Sequence, residues 1–250
     1  MSNKSDGCII FAYNTDKIDY FSQAVVAADR VSQHLNLPVT IFTNELRQSK
    51  HNVILTEMPP KNFKQKNIWY NRSRTRAFDF TPYSKTLVID SDYFLNTDTL
   101  KYHFNSKKSF LIAQEIYNPI NGKKIIHYVG QSRIPLMWAT TMIFDCSNEA
   151  KQIFEFAKIV EKHYDYYAKL YGFHHSSIRN DYIFSIACHV IGGYGKTSYA
   201  FKNYPIVNCN SDIFYEGFKN NKFVYKYMRD KMYCNRLHNI DLHLMNKDQL

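Results

Sequence analysis

Two carboxylates, Asp90 and Asp92, flank a small residue, Ser91, directly behind the apolar run Thr86-Leu87-Val88-Ile89. An apolar run of that length reads as a buried strand, and the carboxyl ends of such strands are where α/β sheets bind ligands. Acidic side chains one residue apart at a strand end can converge on one hard divalent cation, Mg²⁺ or Mn²⁺, and such a cation is suited to gripping a diphosphate. An isolated Asp pair in a turn more often caps backbone groups. Here the surroundings favour a metal: Tyr93-Phe94-Leu95 returns to apolar character after the pair, and Arg72-Ser73-Arg74-Thr75-Arg76 lies just upstream.

The elements that must position these groups follow from periodicity. Cys8–Tyr13 is a continuous apolar run. Ile18, Phe21, Val25, Ala28, Val31 and Leu35 then recur at helical steps, and Val39–Phe42 follows Pro38, so the chain opens with a strand–helix–strand unit. Val53–Leu55 reads as a short strand closed by Pro59-Pro60. A helical pattern runs from about Trp69 to Phe80, and Thr81-Pro82 stops it before the strand that ends at Asp90. Phe110–Ala113 and Met142–Phe144 read as further strands, with a Gly- and Lys-containing surface loop from Pro119 to Gln131 between them. Ser147 offers an N-cap, with Glu149 in the first turn, to a helix carrying Ile153, Phe156, Ala157 and Val160. A second helix begins near Asn180 or Asp181 and stops at Gly192-Gly193. The last fifty residues alternate aromatic and polar stretches without a readable period. Alternating strands and helices predict a mainly parallel central sheet with helices on both faces. At 250 residues the expectation is one domain over 1–250, in two halves, 1–100 ending in the acidic pair and 101–250.

Composition limits the classes open to the chain. Hydrophobic residues make up 45% and charged residues 22%, which excludes a disordered polymer. No stretch approaches the ~20 apolar residues of a membrane span, and the short apolar segment after the N-terminus does not read as a signal peptide, so a cytoplasmic protein is expected. The five cysteines have no CxxC spacing, which argues against a disulfide framework or zinc knuckle and for reduced thiols. The formal charge is +10, and the six basic residues between Glu57 and Asp79 have no acid among them. A polyanionic partner fits that balance, although an Arg cluster beside a diphosphate would serve a small ligand alone, and Arg72 and Arg76, four apart, could equally form a solvated helix face.

Taken together, these segments resemble the GT-A glycosyltransferases of the glycogenin and bacterial galactosyltransferase type, whose fold is Rossmann-like. The resemblance implies a metal-dependent enzyme that moves a sugar from a nucleotide sugar, a UDP-sugar by analogy, to a hydroxyl. It implies Asp90 and Asp92 as metal ligands, with Ser91 between them against the donor. Ala12-Tyr13-Asn14 stands where the family's first strand meets the nucleotide, with Tyr13 placed to stack on the base. Arg72-Ser73-Arg74-Thr75-Arg76 is similar to the family's basic helix, and one or more of Arg72, Arg74 and Arg76 is expected at the nucleotide or diphosphate, with Arg72 and Arg76 sharing one helix face. Trp138–Phe144 is similar to the segment facing the donor sugar. Arg179-Asn180-Asp181-Tyr182 resembles the acidic segment beside the reacting sugar, which makes Asp181 the candidate catalytic residue, as orienting group or base. His243-Leu244-Met245-Asn246-Lys247 resembles an abbreviated form of the element that supplies a third metal ligand, His243, and a diphosphate-binding Lys247. The family's Gly and Pro-Trp are missing there, and His238 competes for the ligand role.

The family likeness implies retention of configuration, with the donor phosphate able to take the acceptor proton; the residues themselves leave the stereochemistry open. Charge, with a general likeness to sugar-modifying enzymes of bacteriophages, points to DNA carrying a hydroxymethylated base as acceptor, and a glycan or protein hydroxyl is the alternative. Two other classes stay open: a non-catalytic nucleic-acid-binding α/β module, and a nucleotidyltransferase, for which Asn14-Thr15-Asp16 is a poor phosphate loop. Gly195-Lys196-Thr197 lacks the upstream Gly of a phosphate loop, and His163, His174 and His175 lack zinc-helix spacing.

Overall fold

The computed structural model describes residues 5–57, 70–174, 177–194, 199–209, 213–219, 222–228 and 231–245. Its main sheet holds β1 (Gly7–Ala12), β2 (Val39–Thr43), β3 (Asn52–Leu55), β4 (Lys85–Ile89), β6 (Phe110–Ala113) and β9 (Trp138–Asp145) in the order β3-β2-β1-β4-β9-β6. The first four strands run parallel, and β9 lies antiparallel to both β4 and β6. The expected α/β architecture with a mainly parallel sheet is therefore present, and β9 is its inserted reversal.

Local chemistry explains the connections. The first helix, α1 (Tyr20–Leu35), starts where Asp19 accepts a hydrogen bond from the Ser22 amide and ends with Asn36 in the left-handed conformation. It packs on β1 and β2, whereas α2 (Ala77–Phe80), α4 (Asn148–Lys162) and α6 (Asn180–Ile191) cover the other face. On that face Phe154 of α4 meets Phe78, Phe110, Phe144 and Phe184 at ring-centroid separations of 5.8, 5.8, 4.7 and 5.4 Å. Aromatic contacts of this kind contribute ~0.5–1.5 kcal/mol each beyond the burial itself, so the cluster locks α4 and α6 to β9. Gly7 is required for a different reason: a Cβ there would come within 2.4 Å of the Tyr83 ring, which bonds Thr40 across the sheet.

A second sheet, in the order β5-β14-β10-β7-β8, is built from β5 (Tyr93–Phe94), β7 (Ile116–Asn118), β8 (Lys123–Ile125), β10 (Ile206–Cys209) and β14 (Leu242–Leu244). An antiparallel meander of β11 (Ile213–Lys219), β12 (Lys222–Met228) and β13 (Met232–His238) packs beside it over a separate apolar cluster that includes Phe94, Val207, Phe223, Tyr225 and Leu242. Two short helices complete the set, α3 (Thr99–Phe104) and α5 (Tyr164–Tyr171).

Several elements differ from the periodicity reading. The expected helix over 69–80 is a 3-10 segment over Tyr70–Arg76 followed by the single turn of α2. The strand expected at 142–144 begins at Trp138. Part of the expected loop at 119–131 is the β7–β8 hairpin, and the described residues of the unassigned last fifty are mostly strand. All five cysteines are free, with Cys8, Cys188 and Cys209 buried. Among the described residues, no helix is long and apolar enough to cross a membrane.

Candidate metal and diphosphate site

Strand β4 delivers the acidic pair. The ladder with β9 continues past Ile89, because the Asp90 amide donates to the Thr140 carbonyl at 3.0 Å. The chain then turns tightly, with the Tyr93 amide donating to the Asp90 carbonyl at 3.1 Å, so both carboxylates face one side of the turn and Ser91 is buried at its corner. Strand β5 leaves this turn antiparallel to β14 and places Tyr93 opposite His243, while the Leu244 amide donates to the Asp92 carbonyl at 2.9 Å.

The result is a cluster of Asp90, Asp92 and His243 whose ligand atoms lie within 4.8 Å of one another. His243 Nε2 is 3.7 Å from Asp90 Oδ2 and 3.5 Å from Asp92 Oδ1. On one ion with bonds of about 2.1 Å, two donor atoms stand about 3–4 Å apart, so these spacings suit a shared cation. The donor set suits it as well. His243 Nδ1 lies 3.0 Å from Asn208 Oδ1, an oxygen that can only accept, so in the tautomer that ligates a cation Nδ1 donates to Asn208 and Nε2 presents its lone pair on the carboxylate side. Strands β10 and β14 pair Asn208 directly with His243, which makes that tautomer a product of register. Among the described residues this is the only cluster of three or more such ligands. His238, the competing candidate, is exposed at the end of β13, paired with Lys222 and outside the cluster.

Of the three arginines in the basic segment, Arg74 is the one that the described residues place against the acidic turn. Arg76 is exposed and lies over the Phe80 ring at 4.9 Å. Arg74 is only 3% exposed; its Nη2 contacts Asp90 Oδ1 and its Nη1 donates to the Ala139 carbonyl at 3.0 Å. The segment is 3-10, with three residues per turn, so the α-helical four-residue spacing expected to align Arg72 with Arg76 does not apply. Neighbours on both sides pin Arg74: Tyr13 donates to Ser73 Oγ at 2.8 Å, and Thr75 Oγ1 donates to Glu161 at 2.6 Å. Burial draws the guanidinium down to about 10 against the opposing pull of Asp181 and Asp92, which leaves it a cation at neutral pH.

Asp181, in the first turn of α6, spends both oxygens on neighbours. Oδ1 accepts from the Ala139 amide at 3.0 Å and Oδ2 from Arg179 at 2.9 Å. Burial lowers the proton affinity of Arg179, but Asp181 and Tyr182 reverse this and hold it above the ordinary arginine value. Ala139 thus links Arg74, through its carbonyl, to Asp181, through its amide.

Tyr13 differs from the expected stacking platform: it is 2% exposed and its hydroxyl serves Ser73 and Thr56, so the ring is a wall of the interior. Asn14 is likewise engaged, with Oδ1 accepting from the Phe21 amide and Nδ2 donating to Glu45. Ala12 ends β1, buried and paired with Thr43. The side chain of Arg72 and all of Lys247 lie outside the described residues, as do Gly195-Lys196-Thr197 and His175. Neither Asn208 nor Asp241 is announced by a local pattern, because Asn208 meets His243 through a strand pairing and Asp241 is held by hydrogen bonds from Asn96, Thr97 and Tyr204.

The fold and site define an α/β protein with a carboxylate–histidine cluster at the carboxyl end of its parallel strands. No family model and no curated protein matches the chain. Among solved structures it is similar to the glycosyltransferase GlyE of Streptococcus pneumoniae TIGR4, at 10% identity and a TM-score of 0.46 over 80% of this chain and 46% of that one. It is also similar to the galactosyltransferase LgtC in complex with donor and acceptor sugar analogs, at 12% identity and a TM-score of 0.46 over 73% of this chain and 69% of that one. An active-site mutant of LgtC matches at 14% identity and a TM-score of 0.42 over 64% of this chain and 65% of that one. This chain therefore spans about half the length of GlyE.

Proposed function

We propose that the protein is a metal-dependent glycosyltransferase that moves a sugar from a nucleotide-sugar donor, a UDP-sugar, to a hydroxyl acceptor. What carries the reading is the convergence of Asp90, Asp92 and His243 Nε2 beside the buried Arg74 cation at the carboxyl end of β4. Departure of a nucleoside diphosphate is the largest electrostatic demand of sugar transfer. A divalent cation, Mn²⁺ or Mg²⁺, held by Asp90, Asp92 and His243 would supply neutralising charge to the diphosphate when bound. Arg74 adds a fixed positive charge that needs no reorganisation, since its two neighbours Ser73 and Thr75 are already anchored. Arg72 and Lys247 remain candidates for further diphosphate contacts, and Ser91 and the backbone at Ala12 for contacts to the donor. With both oxygens occupied, Asp181 orients the Ala139 segment and the sugar beside it in preference to acting as a free base.

For the acceptor, a polyanion such as DNA bearing a hydroxymethylated base agrees with a second basic stretch. No acid occurs between Glu115 and Asp145, and Lys123, Lys124, His127 and Arg133 are exposed along it, with Tyr128 exposed beside them. The β7–β8 hairpin that carries Lys123 and Lys124 belongs to the same sheet as His243. Phosphate contacts from such a hairpin would position a duplex, and Tyr128 offers a stacking surface for an opened base.

Thermal melting with UDP in the presence and absence of Mn²⁺, followed by UDP-sugar hydrolysis, tests the donor half. Mn²⁺-dependent stabilisation by UDP and turnover abolished by Asp92→Asn are expected; no turnover with any nucleotide sugar would favour a non-catalytic binding module. Duplex DNA binding that weakens with salt and with Lys123→Glu/Lys124→Glu supports the acceptor half, and unchanged binding in that variant removes the hairpin from it.

A further inference from the structure

The acidic cluster sits on a buried hydrogen-bond knot that the donor chemistry does not use. Asp241, 5% exposed, stands two residues before His243 and accepts four hydrogen bonds. Oδ1 receives the Asn96 and Thr97 amides at 2.7 and 2.9 Å, and Oδ2 receives Thr97 Oγ1 at 3.1 Å and the Tyr204 hydroxyl at 2.6 Å. The Tyr204 hydroxyl also lies 2.5 Å from that of Tyr93; because Tyr204 donates to the carboxylate, Tyr93 donates to Tyr204.

Each participant sits on a segment that delivers one part of the cluster. Tyr93 directly follows Asp92, and Asn96 and Thr97 continue that segment. Tyr204 leads into β10, which carries Asn208. Asp241 directly precedes β14, which carries His243. The reason such a device is needed lies in β14 itself, which has only three residues, Leu242–Leu244. A strand has period two, so a slip of one residue would turn His243 away from the carboxylates and present a leucine in its place. A three-residue strand has few ladder bonds with which to resist that slip. A fully satisfied polar network, by contrast, has one geometry and leaves donors unpaired in any other.

We propose that Asp241, acting through Tyr204 and Tyr93, is the positioning residue of the metal centre: it fixes the register of β14 so that His243 Nε2 meets Asp90 and Asp92. This inference rests on the metal reading of the cluster and deepens it. Asp241 itself touches neither donor nor cation.

The test is Mn²⁺ binding to the full chain without any nucleotide, monitored by titration calorimetry and by the paramagnetic resonance signal of free Mn²⁺. Asp241→Asn places an amide N–H where two donor groups already point, and it is expected to weaken Mn²⁺ binding about 10- to 100-fold, the range found for partners behind metal ligands. Tyr204→Phe and Tyr93→Phe keep the ring volume and weaken binding in the same direction by less. The double variant Asp241→Asn/Tyr204→Phe resembles Asp241→Asn alone, because both remove one network. Val31→Ala, a core change in α1, serves as the control: it lowers the melting temperature and leaves the Mn²⁺ affinity as in the native chain. Native affinity in folded Asp241→Asn, or an equal loss in Val31→Ala, overturns the proposal. If Asp241→Asn does not fold, native affinity in Tyr204→Phe and Tyr93→Phe overturns it equally. Absence of Mn²⁺ binding by the native protein defeats the metal reading itself and this inference with it, an outcome distinct from native binding that the variants leave untouched.

Discussion

Replacing Arg74 with methionine separates two tasks that one guanidinium performs. Methionine preserves most of the length and apolar volume but removes the charge that stands against Asp90 in a site where Arg74 is 3% exposed. Breaking a buried pair by deleting one partner costs ~3–5 kcal/mol, because the remaining charge stays buried without compensation. At about 2–4 °C per kcal/mol for a chain of this size, the melting temperature of metal-free Arg74→Met falls by about 6–20 °C. Mn²⁺ then does more for the variant than for the native chain. In the native protein the cation shares Asp90 with a guanidinium that repels it; in Arg74→Met that competitor is gone, and the affinity rises at least about tenfold, or 1.4 kcal/mol. With Mn²⁺ at about 100 times its dissociation constant, binding returns about 2.7 kcal/mol of stability. Turnover does not return, because no fixed cation remains beside the departing diphosphate; UDP-sugar hydrolysis stays about 10²-fold or more below native. Differential scanning fluorimetry with and without Mn²⁺, run beside the hydrolysis assay, reads both effects. A metal-free variant that melts with the native protein, or a smaller Mn²⁺ shift than the native protein shows, refutes the reasoning.

Three further outcomes are expected. His243→Ala removes the neutral nitrogen ligand and weakens Mn²⁺ binding at least about tenfold by calorimetry, whereas His238→Ala, outside the cluster, leaves it unchanged. Asp181→Asn keeps an oxygen for the Ala139 amide but loses the charge facing Arg179; hydrolysis falls about 10²-fold while Mn²⁺ affinity is retained, which separates its role from that of the metal ligands. Burial holds the pKa of His103 below the ordinary value of 6.5. The unfolded chain therefore takes up more protons as pH falls, so this residue's contribution to stability is full above pH 6.5 and is lost as pH drops through the folded value. Melting temperatures between about pH 7.5 and 5 should decline less steeply in His103→Gln, and an unchanged slope counts against the assignment.

Part of the site was legible from local chemistry. An apolar run ending in Asp90-Ser91-Asp92 forces two carboxylates to the end of a buried strand whatever the rest of the chain does, because strand length and the polarity change are local properties. The opening strand–helix–strand unit, the Ser147 cap and the start of α6 at Asn180 came from the same kind of signal. His243 was within reach only through resemblance, and the choice between it and His238 belonged to register: pairing of β14 with β5 and β10 brings His243 to Asp92 and Asn208, and pairing of β13 with β12 leaves His238 outside. Arg74 stood among three basic candidates, Arg72, Arg74 and Arg76. Local order does not choose among them; the 3-10 geometry, held by Tyr13 and Glu161 from distant segments, turns Arg74 inward and leaves Arg76 exposed. Local residue order dictates where acidic and basic groups occur and which strand carries the acidic pair. Long-range packing selects which of them meet, because hydrogen-bond partners more than a hundred residues apart, such as Tyr93 and Tyr204, leave no mark on local periodicity.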